Sequence, residues 1–353
     1  MSMSRRSRHT FTLSILGLGL SLASTGCLWG FGGGSNTSFV EADDVRLEIP
    51  GSEDVQSRAA AADNTMVRGH VHVLAVATAN DINAWVTSMV EGAALVVGYL
   101  ERQPATKREG NTNIYGPYDD NDGRDMSWLV RLDGGLTDSN YELWVGPRGA
   151  ASQDEMDKLM TGDLHVDGKM RLGGFMLDFD VVEKYPEMKT FEGALYSYSG
   201  QANVTFERDT ESQKKHIDID FDNYVVEYTG FLDDDTFSTD KTYVYHRGDD
   251  GAGVFHLAVM GEWDEWNWSG PEQEEMILDM AWTAEGAGRT HGQIVEVLGG
   301  DLKYGDVDVQ ECFGEDGYLT WREINEEYLV LDPDYNFGDS ATCALGVEAF
   351  DEG

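Results

Sequence analysis

The stretch DGYLTWRE at 316–323 places Asp316, Gly317, Leu319 and Glu323 at positions five, six, eight and twelve of a calcium loop. Positions one and three would then be Cys312 and Gly314, so the match fails where ligands are needed. DPDYNFGD at 332–339 alternates Asp332, Asp334 and Asn336, but its glycine comes one place late and position twelve is Cys343. These runs, with DDNDGRD at 119–125 and DDD at 233–235, read as wet acidic turns. His70 and His72 would share a face only in a strand; in a helix they diverge, and such a pair is expected to be structural. His165, His216, His246, His256 and His291 are scattered singly along the chain. Trp263, Trp266 and Trp268 in EWDEWNWSGP could stack on a sugar, but strand-end packing is the expectation. The chain has no H-E-x-x-H, no G-x-S-x-G and no Walker glycine loop, so the commonest hydrolase and nucleotide signatures are missing. No catalytic residue, metal or cofactor is assigned.

The three cysteines divide into one and two. Cys312 and Cys343 sit in no C-x-x-C and beside no histidine, and an even pair in an oxidising compartment is expected to bond. Closing that 31-residue loop contributes about 3.5 kcal/mol by loop-closure entropy. Cys27 follows a different logic. Residues 1–26 carry Arg5, Arg6 and Arg8 without an acid, then an apolar run from Phe11 to Ala23, then Ser24, Thr25 and Gly26. The apolar run is 13 residues, short of the roughly 20 a membrane-spanning helix needs, so it reads as a cleaved export signal. The stretch S-T-G-C resembles the lipobox of bacterial lipoproteins, although position −3 is Ser24 where that family favours leucine. The resemblance implies cleavage before Cys27 and acylation of that residue, which anchors the chain to a membrane. Arg8 departs from a twin-arginine signal, so export by the general route is expected.

The chain carries a formal charge of −40, or −43 without the three leader arginines. Such a surface repels phosphate backbones and anionic lipid heads, which argues against nucleic acid and against a basic membrane-docking face. The expected membrane contact is the lipid anchor alone. The mature 327 residues suffice for one large or two ordinary cores.

Residues 27–48 begin Gly-rich and turn acidic, which reads as a flexible tether spanning about 25 Å. Residues 49–104 form a helical segment, with the pattern itself running from Ser52 to Arg102. Within it Ile82, Trp85, Val86, Met89, Val90, Ala93, Val96, Val97 and Leu100 recur at steps of three and four, and Pro104 ends the pattern. The helix is apolar over most of its circumference and needs a cover.

From 105 to 353 the period becomes two. HIDIDFD at 216–222 puts Ile217, Ile219 and Phe221 on one face and three aspartates on the other. Similar runs occur at 125–133, 140–146, 159–166, 169–182, 194–207, 241–247, 254–263, 275–284, 292–298 and 303–312. Asp167-Gly168, GDDGAG at 248–253 and GAGRTHG at 286–292 read as hairpin turns. No helical pattern separates these runs, so antiparallel pairing is expected. The fold class is α+β, mostly β: a large curved antiparallel sheet packed around the helix as one globular domain.

This element order resembles the half-barrel of periplasmic lipoprotein carriers and outer-membrane lipoprotein receptors, without a shared motif. YGPY at 115–118, GAGRTHG followed by GGDL at 299–302, and VQECF at 309–313 resemble a family of myxobacterial-type lipoproteins with no established activity. The expectation is a non-enzymatic, lipid-anchored envelope protein of the outer membrane, on its periplasmic or surface face, with a structural or partner-binding role. Two alternatives stay open: a carrier or sensor holding an acyl chain or other apolar ligand between helix and sheet, and an enzyme acting on carbohydrate through paired carboxylates.

Overall fold

The computed structural model describes residues 39–51, 68–100, 102–120, 123–135, 137–188, 196–228, 236–238, 241–261, 274–297, 302, 305–329 and 334–352. Cys27 and the leader, residues 52–67, the acidic run 233–235 and the tryptophan-rich stretch 262–271 lie outside them.

The described chain opens with the short helix α1 (Ala42–Val45) and a 31-residue helix α2 (His70–Leu100). The strands follow: β1 (Lys107–Glu109), β2 (Thr112–Asp119), β3 (Met126–Gly134), β4 (Asp138–Pro147), β5 (Asp157–Asp167) and β6 (Met170–Asp178). After the helix α3 (Phe179–Lys184) come β7 (Tyr196–Asp209), β8 (Lys215–Tyr228), β9 (Thr236–Ser238), β10 (Lys241–Arg247), β11 (Gly253–Gly261), β12 (Glu274–Trp282) and β13 (Gly288–Glu296). The chain ends with β14 (Val307–Phe313), β15 (Leu319–Ile324), the helix α4 (Glu326–Leu329) and β16 (Phe337–Gly338). All sixteen strands belong to one open antiparallel sheet in sequence order, except that β9 pairs with β8 off the main path. The molecule is α+β and mostly β.

Alternation explains the sheet. In β8 the side chains of Ile217, Ile219 and Phe221 are buried while Asp218 and Asp220 face outward. Asp167-Gly168 turns β5 into β6, with Gly168 at φ +60°, a conformation glycine adopts without penalty. Two expectations need correction. The run 169–182 leaves the sheet at Asp178, whose carboxylate accepts the N–H groups of Asp180 and Val181 and starts α3 there. GAGRTHG is mostly strand: the turn lies at 283–287, and Gly288 opens β13 because a Cβ there would meet the Phe313 ring at 2.5 Å. Strands β1, β2, β9, β15 and β16 are additional to the runs read from sequence. In β2 the turn-like Gly116-Pro117 sits at a register shift between Tyr115 and Tyr118, where a strand tolerates proline.

One continuous core joins α1, α2 and the inner faces of β3 to β8 and β10 to β14. Helix α2 touches β3 on one flank of the sheet and β12, β13 and β14 on the other. Its buried side chains include Ile82, Trp85, Val86, Met89, Val90, Ala93, Val97 and Leu100, and Val96 is half-buried. The exposed stripe of α2 includes Val73, Leu95 and Tyr99. Its start is fixed by Glu311 of β14, whose fully buried carboxylate accepts the N–H groups of His70 (2.7 Å), Val71 (2.9 Å) and His72 (3.1 Å). Three donors that would otherwise be orphaned and the positive end of the helix dipole meet one carboxylate. Burial pushes the Glu311 carboxyl up, and the three amides oppose this only in part.

Candidate functional site

Residues 39–48 of the expected 27–48 tether belong to the body, with 27–38 outside the described residues. Ile49, expected to begin the helical segment, continues the same packed stretch, while the helix starts only at His70. Phe39, Val40, Val45, Leu47 and Ile49 are buried, and the segment lies along one rim of the sheet as a strap. Helix α2 holds it by a side-chain amide: Leu47 N–H donates to Asn83 Oδ1 (2.6 Å), and Asn83 Nδ2 donates to the Leu47 carbonyl (2.8 Å).

The main hold is electrostatic. Arg171, Arg208, Lys215 and Arg247 are direct cross-strand partners on β6, β7, β8 and β10, forming one row of four cations. Like charges in adjacent register repel, so the row requires anions. The strap supplies four. Asp44, fully buried, accepts from Arg171 through Nε to Oδ1 and Nη2 to Oδ2, each at 2.8 Å, and lies 3.3 Å from Arg208 Nη1. Asp43 and Glu41 add contacts to Arg208 at 3.8 and 4.0 Å. Glu48 accepts from Lys215 Nζ at 3.0 Å and also pairs with Arg247. Burial raises the Glu48 carboxyl, but Lys215 and Arg247 together bring it below the usual carboxylate range. Arg171 also donates to the Phe39 carbonyl and Lys215 to the Arg46 carbonyl.

A second assembly lies on the outer face. His256, Asp279, His291 and Asp308 come from four consecutive strands, β11 to β14. His256 Nδ1 donates to Asp279 Oδ1 (2.7 Å), and His291 Nε2 donates to Asp308 Oδ1 (3.2 Å), each tautomer being the one its carboxylate selects. Asp279 Oδ2 lies 3.9 Å from His291 Nδ1, and Gln293 donates to Asp308 at 3.1 Å. His216 and His246 pair across β8 and β10 with ring centroids 5.6 Å apart. His216, His246, His256 and His291, scattered in sequence, thus gather on one outer strip because strand register aligns them, whereas His165 lies apart on β5 against Asp138. Beside the strip is a shallow cleft of about 130 Å³ lined by Val244, Val254, His256, Asp279 and Phe350. Sites that enclose a whole small ligand are on the order of 300 Å³ or more, so this cleft suits one protruding group. Among the described residues that line it, Asp279 is the one carboxylate.

The disulfide lies beside the second assembly. Cys312 on β14 bonds Cys343, with Cα atoms 5.4 Å apart and 31 residues between them in sequence. The bond fastens the C-terminal arm to the outer face, where Phe350 stacks on His291 at 6.2 Å and Arg289 donates to the Leu345 carbonyl.

The acidic loops serve the backbone. Asp316 accepts from Tyr318 N–H, Asn336 from Ile324 N–H and Asp339 from Ala341 N–H. Asp119 accepts from Ser127 Oγ and Gly149 N–H, and Asp120 from Trp128 Nε1. Among the described residues no group of three or more His, Cys, Asp or Glu side chains could hold a metal ion. His70 is exposed and meets the Tyr335 hydroxyl, whereas His72 is buried and stacks on Phe313 at 4.2 Å. Burial drives the His72 imidazole down to about 4. Among the described residues no helix is long and apolar enough to cross a membrane. Comparison with protein families, curated proteins and solved structures finds no match for this chain.

Proposed function

We propose that this chain is an exported, lipid-anchored cell-envelope protein whose body binds a partner or ligand and performs no catalysis. The observation that carries the reading is the strap. Its charges lock the chain to the sheet from residue 39 onward, so only the steps between Cys27 and Phe39 separate the acylated residue from the folded body. Twelve residues, fully extended, reach about 40 Å at most, which keeps the body close to the lipid surface. An export signal ending on a lipobox-like cysteine and a disulfide suited to an oxidising compartment support the same reading. The outer membrane, on its periplasmic or surface face, is the proposed location. The sheet, touching α2 from both flanks, acts as a half-barrel about that helix.

The outer strip of histidines and aspartates, with its shallow cleft, is the docking surface this reading assigns to an envelope protein partner. Cys27→Ser tests the anchor. The variant is expected in the soluble fraction, while wild type sediments with membranes and shows a mass increase from acyl chains. A variant that still sediments, with a wild type lacking that mass, would overturn the anchor. The second reading, a carrier of an apolar ligand between helix and sheet, is favoured by unpartnered donors at the rim opposite the strap.

A further inference from the structure

Many buried polar groups in this protein find acceptors. The indoles of Trp128 and Trp282 donate to Asp120 and to the Gly251 carbonyl, and the hydroxyls of Tyr141 and Tyr245 reach the carbonyls of Gly174 and Glu48. Others have no partner, among them the His72 ring and the Thr78 and Thr290 hydroxyls, and two such groups lie together around Phe221. Trp85 Nε1 and the Tyr224 hydroxyl are buried without a partner, and Lys241, 7% exposed, has no hydrogen bond or ion pair among the described residues. Lys241 Nζ instead lies 5.5 Å from the centre of the Tyr224 ring. The three groups share one aromatic assembly: Trp85 packs on Phe221 at 5.1 Å, Phe221 on Tyr224 at 5.0 Å, and Phe179 on Tyr224 at 4.8 Å. Lys241 is the direct cross-strand partner of Phe221.

The Trp85 indole, the Tyr224 hydroxyl and the Lys241 amine can each donate a hydrogen bond, and the last is a cation. A missing acceptor of negative charge accounts for the set, because each buried donor left unmade costs free energy and a buried ammonium costs more. Burial alone pulls the Lys241 amine down to about 8, in keeping with the lack of a counterion. The surroundings limit the rest of the ligand. Phe179, Phe221 and Tyr243 are apolar walls, so the remainder must be apolar. One cation matches one negative charge, and a phosphate's second charge would go unpaired.

We propose that Lys241, Tyr224 and Trp85 bind the carboxylate of an apolar monocarboxylic acid, entering at the rim where β10 begins. The proposal deepens the carrier reading and does not depend on the lipid anchor.

The test uses the full chain carrying Cys27→Ser, so that neither bound lipid nor detergent competes, titrated calorimetrically with dodecanoate and with dodecanol. Dodecanoate should bind at least about tenfold more tightly than the alcohol, the worth of a charge-assisted hydrogen bond. Lys241→Met should abolish that preference and raise the melting temperature. Tyr224→Phe keeps the ring and should weaken dodecanoate severalfold, so it carries the test if the lysine variant misfolds. Equal binding of acid and alcohol, unchanged acid affinity in the variants, or no binding up to about 1 mM would overturn the proposal. The anchor is read separately, by membrane fractionation, so its failure and this one are distinguishable.

Discussion

Lys215 and Lys241 sit on neighbouring strands, β8 and β10, both buried against the inner face of the same sheet, yet at opposite rims. Burial pushes both amines down. Lys215 is answered by Glu48 and by the Arg46 carbonyl, whereas Lys241 meets only an aromatic ring. The strap rim is a closed electrostatic structure, four cations against four acids. The other rim holds a cation that has no counterion among the described residues. A buried charge is therefore no guide to its purpose until its counterion is located: the paired one fastens the chain, and the other is the one to which the ligand proposal assigns a carboxylate.

The largest effect expected from this contrast is at Asp44. Asp44→Ala leaves Arg171 buried against Arg208 without its main anion, and breaking a buried pair from one side costs about 3–5 kcal/mol. Chemical denaturation should show that loss. A loss under 1 kcal/mol would mean that the strap is held by its apolar residues alone.

Lys241→Met should act in the opposite sense, stabilising the protein by up to about 3 kcal/mol at pH 7, since it removes an uncompensated buried charge. The sign follows from linkage. With its folded pKa near 8, below the unfolded value of about 10.4, the lysine penalises the fold fully below pH 8. Wild type should gain stability between those values, and the variant should not. A variant less stable than wild type at pH 7 would mean the amine already has a partner.

His72 offers a third buried base for the same test. It is neutral in the fold, with its pKa near 4 against about 6.5 unfolded, so stability holds above pH 6.5 and falls by about 3 kcal/mol as pH drops to 4. His72→Phe should flatten that part of the pH profile. Persistence of the slope in the variant would assign it to other groups.

Much of the scaffold is legible in the chain. The alternation in HIDIDFD marks β8, the pair of cysteines left once Cys27 is set aside marks the disulfide, and the buried positions of α2 follow the apolar steps from Ile82 to Leu100. The strap was hidden by composition. Residues 39–49 follow a glycine-rich stretch and carry four acids, so they read as solvated, although Val45, Leu47 and Ile49 alternate as a buried extended segment does. The cation row and the histidine strip are illegible for another reason. Arg171, Arg208, Lys215 and Arg247 are brought level by the register of three hairpin pairings, which no local pattern specifies. The unpartnered donors of Trp85 and Tyr224 are further still from view, because a missing partner is a property of the folded core.

The smallest expected effect tests the paired side of the comparison. Glu48 is partly exposed, so water screens its pairs with Lys215 and Arg247. Glu48→Gln should cost only about 0.5–1 kcal/mol at low salt, and less in 1 M salt, where the screening length is about 3 Å. Lys215 keeps its bond to the Arg46 carbonyl, which limits the damage. The carboxyl's folded pKa lies below its ordinary value, so its contribution is complete above the carboxylate range and lost as pH falls through the lowered pKa. Wild type and variant should therefore differ at pH 7 and converge at the acid end. A cost as large as that of Asp44→Ala would mean that Lys215 depends wholly on Glu48, and the two lysines would then differ only in whether the fold supplies the anion.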